Sequence, residues 1–154
     1  MIGKVEEIQE IDVTGFKVVS SDYFHGNYRL NVPTLTMWHT YISFSKASLS
    51  ALNNCERVRI EVDSASRRIL VIPVTTADRD GIKWLKPGKT PEARKLECKE
   101  FTMPIFNLWE WSPKRVYRAV GRLVMSDKKL MLLFDFKKCE DWEFKPRVKE
   151  NQNA

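Results

Sequence analysis

Polar and apolar residues alternate through Tyr41-Ile42-Ser43-Phe44, the pattern of a strand with one buried face. Ser45 then precedes Lys46-Ala-Ser-Leu-Ser-Ala-Leu52, a short helical run. A serine hydroxyl at that position accepts from the first free amides of a helix. Val58, Ile60 and Val62 next alternate with Arg57, Arg59 and Glu61. Asp63-Ser-Ala-Ser66 is turn chemistry. Ile69 to Val74 is an unbroken apolar run, as expected of a strand covered on both faces. Residues 39–74 therefore read as strand, helix, strand, strand.

The same order recurs over residues 94–136. Arg94 to Phe101 is a candidate strand, Thr102 a candidate N-cap, and Pro104 falls in the first helical turn, where a missing amide hydrogen costs little. Ile105, Phe106 and Trp109 form an apolar stripe that Ser112-Pro113 ends. Arg115 to Met125 reads as a strand, Ser126-Asp-Lys128 as a turn, and Leu130 to Phe136 as another strand. On the first of these strands Val116, Arg118, Val120, Arg122 and Val124 share a face expected to meet solvent. Tyr117, Ala119, Gly121, Leu123 and Met125 share the face expected to meet the core. The expected fold is α+β, two β-α-β-β units in a mostly antiparallel sheet with short helices, although this order also arises by chance in such domains. The expected core is Ile42, Phe44, Leu49, Leu52, Val58, Ile60, Val62, Leu70, Ile72, Ile105, Phe106, Leu123, Leu132 and Phe134.

One compact domain is expected over residues 1–144, with 145–154 a disordered tail that Trp142 and Phe144 dock. Ahead of the first unit, Ile2, Val5, Ile8 and Ile11 hint at a short amphipathic helix, and Val13 to Ser20 at a strand. The aromatic stretch Tyr23 to Tyr28 either stacks a planar ligand or packs a hairpin on the core. Short β-α-β-β units often finish their sheet with a neighbour's strands, so a homodimer is expected.

Composition sharpens the functional side. The 154 residues carry a net charge of +6, which favours anionic partners. Basic residues gather between Arg79 and Lys99 and again between Lys114 and Lys129, while residues 1–12 are acidic. No apolar run is long enough for a membrane helix, and MIGKVEEIQEID lacks the basic end and apolar stretch of a signal peptide, so a cytoplasmic protein is expected. Cys55, Cys98 and Cys139 are far apart and only His25 and His39 accompany them. Zinc-site spacing is absent, and neither a metal nor a cofactor is expected. Nothing reads as a nucleophile with its base, so the chain is expected not to be an enzyme.

Thr75 to Pro91 is a loop by composition, and long loops tend to be functional or mobile. Trp84 sits there among Lys83, Lys86 and Lys89. Its indole either stacks on a base while the lysines hold phosphates, or pins the loop to the body. Gly88-Lys89-Thr90 looks like the end of a P-loop, but Lys83 stands where that motif needs glycine and Pro91 follows, so the match is rejected. On the second hairpin, Arg118 and Arg122 lie on one face at a spacing that suits a phosphate backbone or guanine edges, with Arg57 and Arg59 adding backbone contacts.

Ser43-Phe-Ser-Lys-Ala-Ser-Leu-Ser-Ala-Leu52 followed by Arg57-Val-Arg-Ile-Glu-Val62 resembles the AbrB and MraZ type of swapped-hairpin DNA-binding domain. The resemblance places Lys46 at the basic helix opening. Ser45 stands where those families have proline, and Cys55-Glu56 where they have Gly-Asp. The chain also looks like small proteins of phages and mobile elements. What this implies is a non-enzymatic DNA-binding regulator of such an element. The alternative is a counter-defence protein that sequesters an anionic nucleotide or binds a host defence protein. The residues expected to bind nucleic acid are Arg118, Arg122, Arg57, Arg59, Lys83, Trp84, Lys86 and Lys89.

Overall fold

The computed structural model describes residues 8–20, 32–86, 88 and 92–146. Strands β1 (Thr34–Met37) and β2 (Tyr41–Phe44) are followed by helix α1 (Lys46–Ala51), then β3 (Arg57–Asp63) and β4 (Arg68–Val74). Four two-residue strands come next: β5 (Ile82–Lys83), β6 (Leu85–Lys86), β7 (Glu92–Ala93) and β8 (Leu96–Glu97). Helix α2 (Lys99–Leu108) leads to β9 (Arg115–Ser126), β10 (Lys129–Asp135), a 3-10 turn at Phe136–Lys138 and β11 (Glu140–Glu143). The principal sheet has the order β5-β3-β4-β10-β9-β1-β2-β8, with β11 alongside β9. It curls into a half-barrel, while β6 and β7 pair separately. Every described pairing is antiparallel.

Local chemistry explains the first helix. The Ser45 hydroxyl accepts from the Ser48 amide at 3.3 Å, as its N-cap position predicts. Asn53 and Asn54 end the helix in the left-handed region (φ 56° and 53°), which asparagine tolerates better than most residues. The Asn54 amide then donates to the Leu49 carbonyl at 2.8 Å.

The second helix begins earlier than the sequence predicts. Residues 94–101 are not one strand, because only Leu96–Glu97 pairs and the helix opens at Lys99. Thr102 is therefore inside the helix. Its buried hydroxyl donates to the His39 carbonyl at 2.7 Å and ties α2 to the turn between β1 and β2. Pro104 sits in the second turn, where its missing amide leaves the Glu100 carbonyl without its i+4 donor. The stretch expected to be a loop, 75–91, carries β5 and β6. Of the expected N-terminal helix, residues 8–12 are described and are not helical, and 13–20 form no strand. The aromatic stretch from Tyr23 to Tyr28 lies outside the described residues.

Twelve of the fourteen expected core residues are buried or half-buried; Val62 and Leu123 are exposed. Val62 lies on β3 beyond its pairing with β5, which covers only Arg57 and Val58, and Leu123 lies on β9 beyond its pairing with β1. β9 pairs β1 only through Tyr117–Val120 and β11 only through Arg115–Arg118. Beyond Gly121 its one partner among the described strands is β10, so both faces open and Leu123 and Met125 are 48% and 67% exposed. Near the start of β9, Tyr117 and Ala119 are buried as expected, but the face expected to meet solvent is partly covered as well. Val116 is fully buried where β11 runs beside it, with Trp142 in register opposite.

Candidate functional site

Beyond Leu123 and Leu132, where β4 no longer pairs with β10, β9 and β10 continue as a short two-stranded arm. Asp127 and Lys128 close it, both with positive φ (49° and 64°), as a type I′ turn requires. Lys128 and Lys129 are exposed on this arm, and Arg122 is exposed just below it, where β4 still flanks β10. At its base, an open groove of about 560 Å³ runs between α1 and β9. Lys46, Ala47, Ser50 and Ala51 form one wall, Gly121, Arg122 and Leu123 the other, and Pro33 lies between them.

One short segment fixes both walls. The Ser45 hydroxyl accepts from the Thr34 amide (2.8 Å) and donates to the Val32 carbonyl (3.2 Å). The Ser48 hydroxyl donates to the Thr34 carbonyl (3.1 Å). From the other side the Gly121 amide donates to the Pro33 carbonyl (2.8 Å). Residues 32–34 thus clamp helix and strand in a fixed relation. Lys46 and Arg122 have no ion-pair partner among the described residues, so two cations flank a preformed groove.

The structure separates the residues that the sequence grouped as nucleic-acid contacts. Arg118 donates to the Glu140 carboxylate at 2.8 Å and lies 4.8 Å from the Trp142 ring centroid. Arg59 is held between Glu61 (2.9 Å) and Asp78. Asp78 also accepts from the Asp80 amide, and that bond, with the Arg59 guanidinium, holds its pKa below the ordinary carboxylate value. Arg57 donates through Nη2 to the Gly81 carbonyl (3.1 Å), and its Nε is buried without a hydrogen bond. Lys83 faces Glu56 at 3.8 Å. Lys86 is exposed and stands in register opposite Glu92. Lys89 lies outside the described residues.

Trp84 is 1% exposed. Its indole nitrogen donates to the Cys55 carbonyl (2.7 Å) and its ring meets Phe44 edge-on at 5.1 Å. It pins the loop, and its faces are covered by protein. Of the eight expected contacts, Arg122 alone lies on the groove. Lys46, its partner across the groove, was visible in the sequence only as the basic residue opening the helix. The roles of Pro33 and Ser50 carried no local signal, because they depend on how β1 and α1 meet β9.

All three thiols are pushed above the ordinary cysteine value, chiefly by burial, Cys98 to about 11. Among the described residues no three His, Cys, Asp or Glu side chains are placed to hold a metal ion. No described helix is long and apolar enough to cross a membrane. No protein-family model, curated protein or solved structure matches this chain significantly.

Proposed function

We propose that the chain is a non-enzymatic DNA-binding protein, a small regulator that grips the phosphate backbone with the Lys46–Arg122 groove and the β9–β10 arm. The observation that carries this is the preformed groove with two cations that no acid in the described chain neutralises. Lys128 and Lys129 extend the positive character to the tip of the arm, beside Asp127. An exposed two-stranded ribbon is one of the shapes the major groove admits.

The order β2-α1-β3-β4 followed by β8-α2-β9-β10 supports a reading as two β-α-β-β units facing one another. On this reading β2 pairs its counterpart β8 and β4 pairs its counterpart β10. β1 lies on β9 and β5 on β3, so each half completes the other's sheet. That is the relation of swapped-hairpin domains, made within one chain. Completion of the sheet then needs no second copy.

The test is a gel-shift titration with random duplex DNA at low salt. Wild-type protein binds, and Lys46→Ala with Arg122→Ala binds more weakly. Arg118→Ala changes little, because Arg118 already serves Glu140 and Trp142. Equal loss from Arg118→Ala and from the groove pair would refute the groove as the contact.

A second reading, capture of a host protein, is favoured by the exposed Val120, Leu123 and Met125 on the same strand. Its mark is binding that survives high salt and fails when Leu123 and Met125 are replaced by Ser. Sequestration of a nucleotide on Trp84 loses support, because that ring is enclosed.

A further inference from the structure

The strand order begins at β5 and ends at β8, and these two strands are not paired with each other. On the two-unit reading they stand where β1 and β2 stand in the other half. There the connection Trp38–Thr40 is short and three register pairs close the junction, from Leu35↔Phe44 to Met37↔Ile42. At the β5–β8 junction the chain is drawn away. Trp84 follows β5 directly and is held at the Cys55 carbonyl, and the β6–β7 hairpin intervenes before β8.

The opening that results is a crevice of about 300 Å³. Ile42, Ile60, Ile82, Leu96 and Phe101 make its apolar wall, and Cys98 also lines it. The acidic side chains present are those of Asp80 and Glu97, both on exposed residues. The Asp80 carboxylate has no hydrogen-bond or ion-pair partner among the described residues. Glu97 already attracts one cation: Lys95 reaches it at 3.2 Å while lying 4.0 Å over the Tyr41 ring. That pair is exposed and weak, so a ligand can displace it. Apolar walls with a few polar groups at this volume are the usual make-up of a small-molecule site.

We propose that this crevice binds a small apolar ligand bearing one cationic amine. The hydrocarbon part lies against Ile60, Ile82 and Leu96, and the ammonium meets Asp80 and Glu97. The site is separate from the Lys46–Arg122 groove and independent of the DNA-binding proposal.

The test compares hexylamine, hexanol and hexanoate, which share a chain and differ in head group, by amide-shift titration of the full chain. The expected result is saturable movement of the Ile60, Ile82 and Leu96 amides, with hexylamine about threefold to tenfold tighter than hexanoate. Asp80→Asn with Glu97→Gln, both exposed, abolishes that preference while hexanol binding persists. Saturating hexylamine also slows alkylation of Cys98 relative to Cys55 and Cys139. The proposal is overturned if hexylamine gives no saturable shift at these amides, if hexanoate binds as tightly, or if the double variant keeps the preference.

Discussion

Trp84 is the position where the structure decides between two roles that its sequence context left open. Its side chain is enclosed and makes one hydrogen bond, to the Cys55 carbonyl. Trp84→Ala removes a full aromatic side chain from the core, a change that costs about 3–5 kcal/mol. It also strands the Cys55 carbonyl, and a lost hydrogen bond of this kind costs about 1 kcal/mol more. A domain of this size has roughly 5–15 kcal/mol in total, so the variant loses about a quarter or more of its stability. Trp84→Phe keeps most of the ring contact and costs about 1–3 kcal/mol, from the smaller ring and the missing donor. Urea unfolding with the slope checked for constancy measures both. Folded Trp84→Phe protein binds duplex DNA like wild type. The reasoning fails if Trp84→Ala lowers stability by less than about 1 kcal/mol. It fails equally if Trp84→Phe keeps its stability but loses DNA.

Three further outcomes follow from single contacts. Gly121 faces Phe134 across the β9–β10 pair, and a Cβ there would stand 2.5 Å from the ring, so Gly121→Ala lowers the unfolding free energy by about 1–3 kcal/mol in urea titration. Lys128 occupies the second position of a turn that needs positive φ, and Lys128→Gly adds about 0.5–1 kcal/mol of stability, seen as a higher thermal midpoint. The Cys98 pKa of about 11, against an ordinary 9.0, leaves its thiolate fraction near pH 8 about a hundredfold low. Iodoacetamide labelling of Cys98 is correspondingly slow near neutrality and accelerates as pH rises towards 11. A folded pKa above the unfolded one also means the neutral thiol favours the native state. That contribution is complete below pH 9 and is lost as pH climbs from 9.0 to about 11.

Where short-range pattern governs structure, the elements were legible. Ser45 caps α1 because its hydroxyl chemistry is local, and the β3–β4 and β9–β10 hairpins follow from alternation and turn residues. Long-range partners were not legible. Thr102 looks like an N-cap until the His39 carbonyl claims its hydroxyl. Val116 looks outward-facing until β11 arrives beside it, and Leu123 inward-facing until β9 outruns β1. The basic residues show the same limit. Charge is read from composition, whereas whether Arg118 is available depends on Glu140 and Trp142, which come from a strand more than twenty positions away. Arg122 and Lys46, with six strands and one helix between them along the chain, meet across a groove that the clamp at residues 32–34 builds.

The salt dependence of duplex DNA binding tests the central claim most directly. Each phosphate neutralised contributes a slope of roughly −0.9 to log affinity against log salt. Anisotropy titrations at several sodium chloride concentrations should show wild-type binding that weakens steeply as salt rises. Replacing Lys46 and Arg122 together by Ala should flatten that slope by up to about two units, while Arg118→Ala leaves it nearly unchanged. A wild-type protein that shows no binding at low salt, or a Lys46–Arg122 double variant with the wild-type slope, would contradict the account.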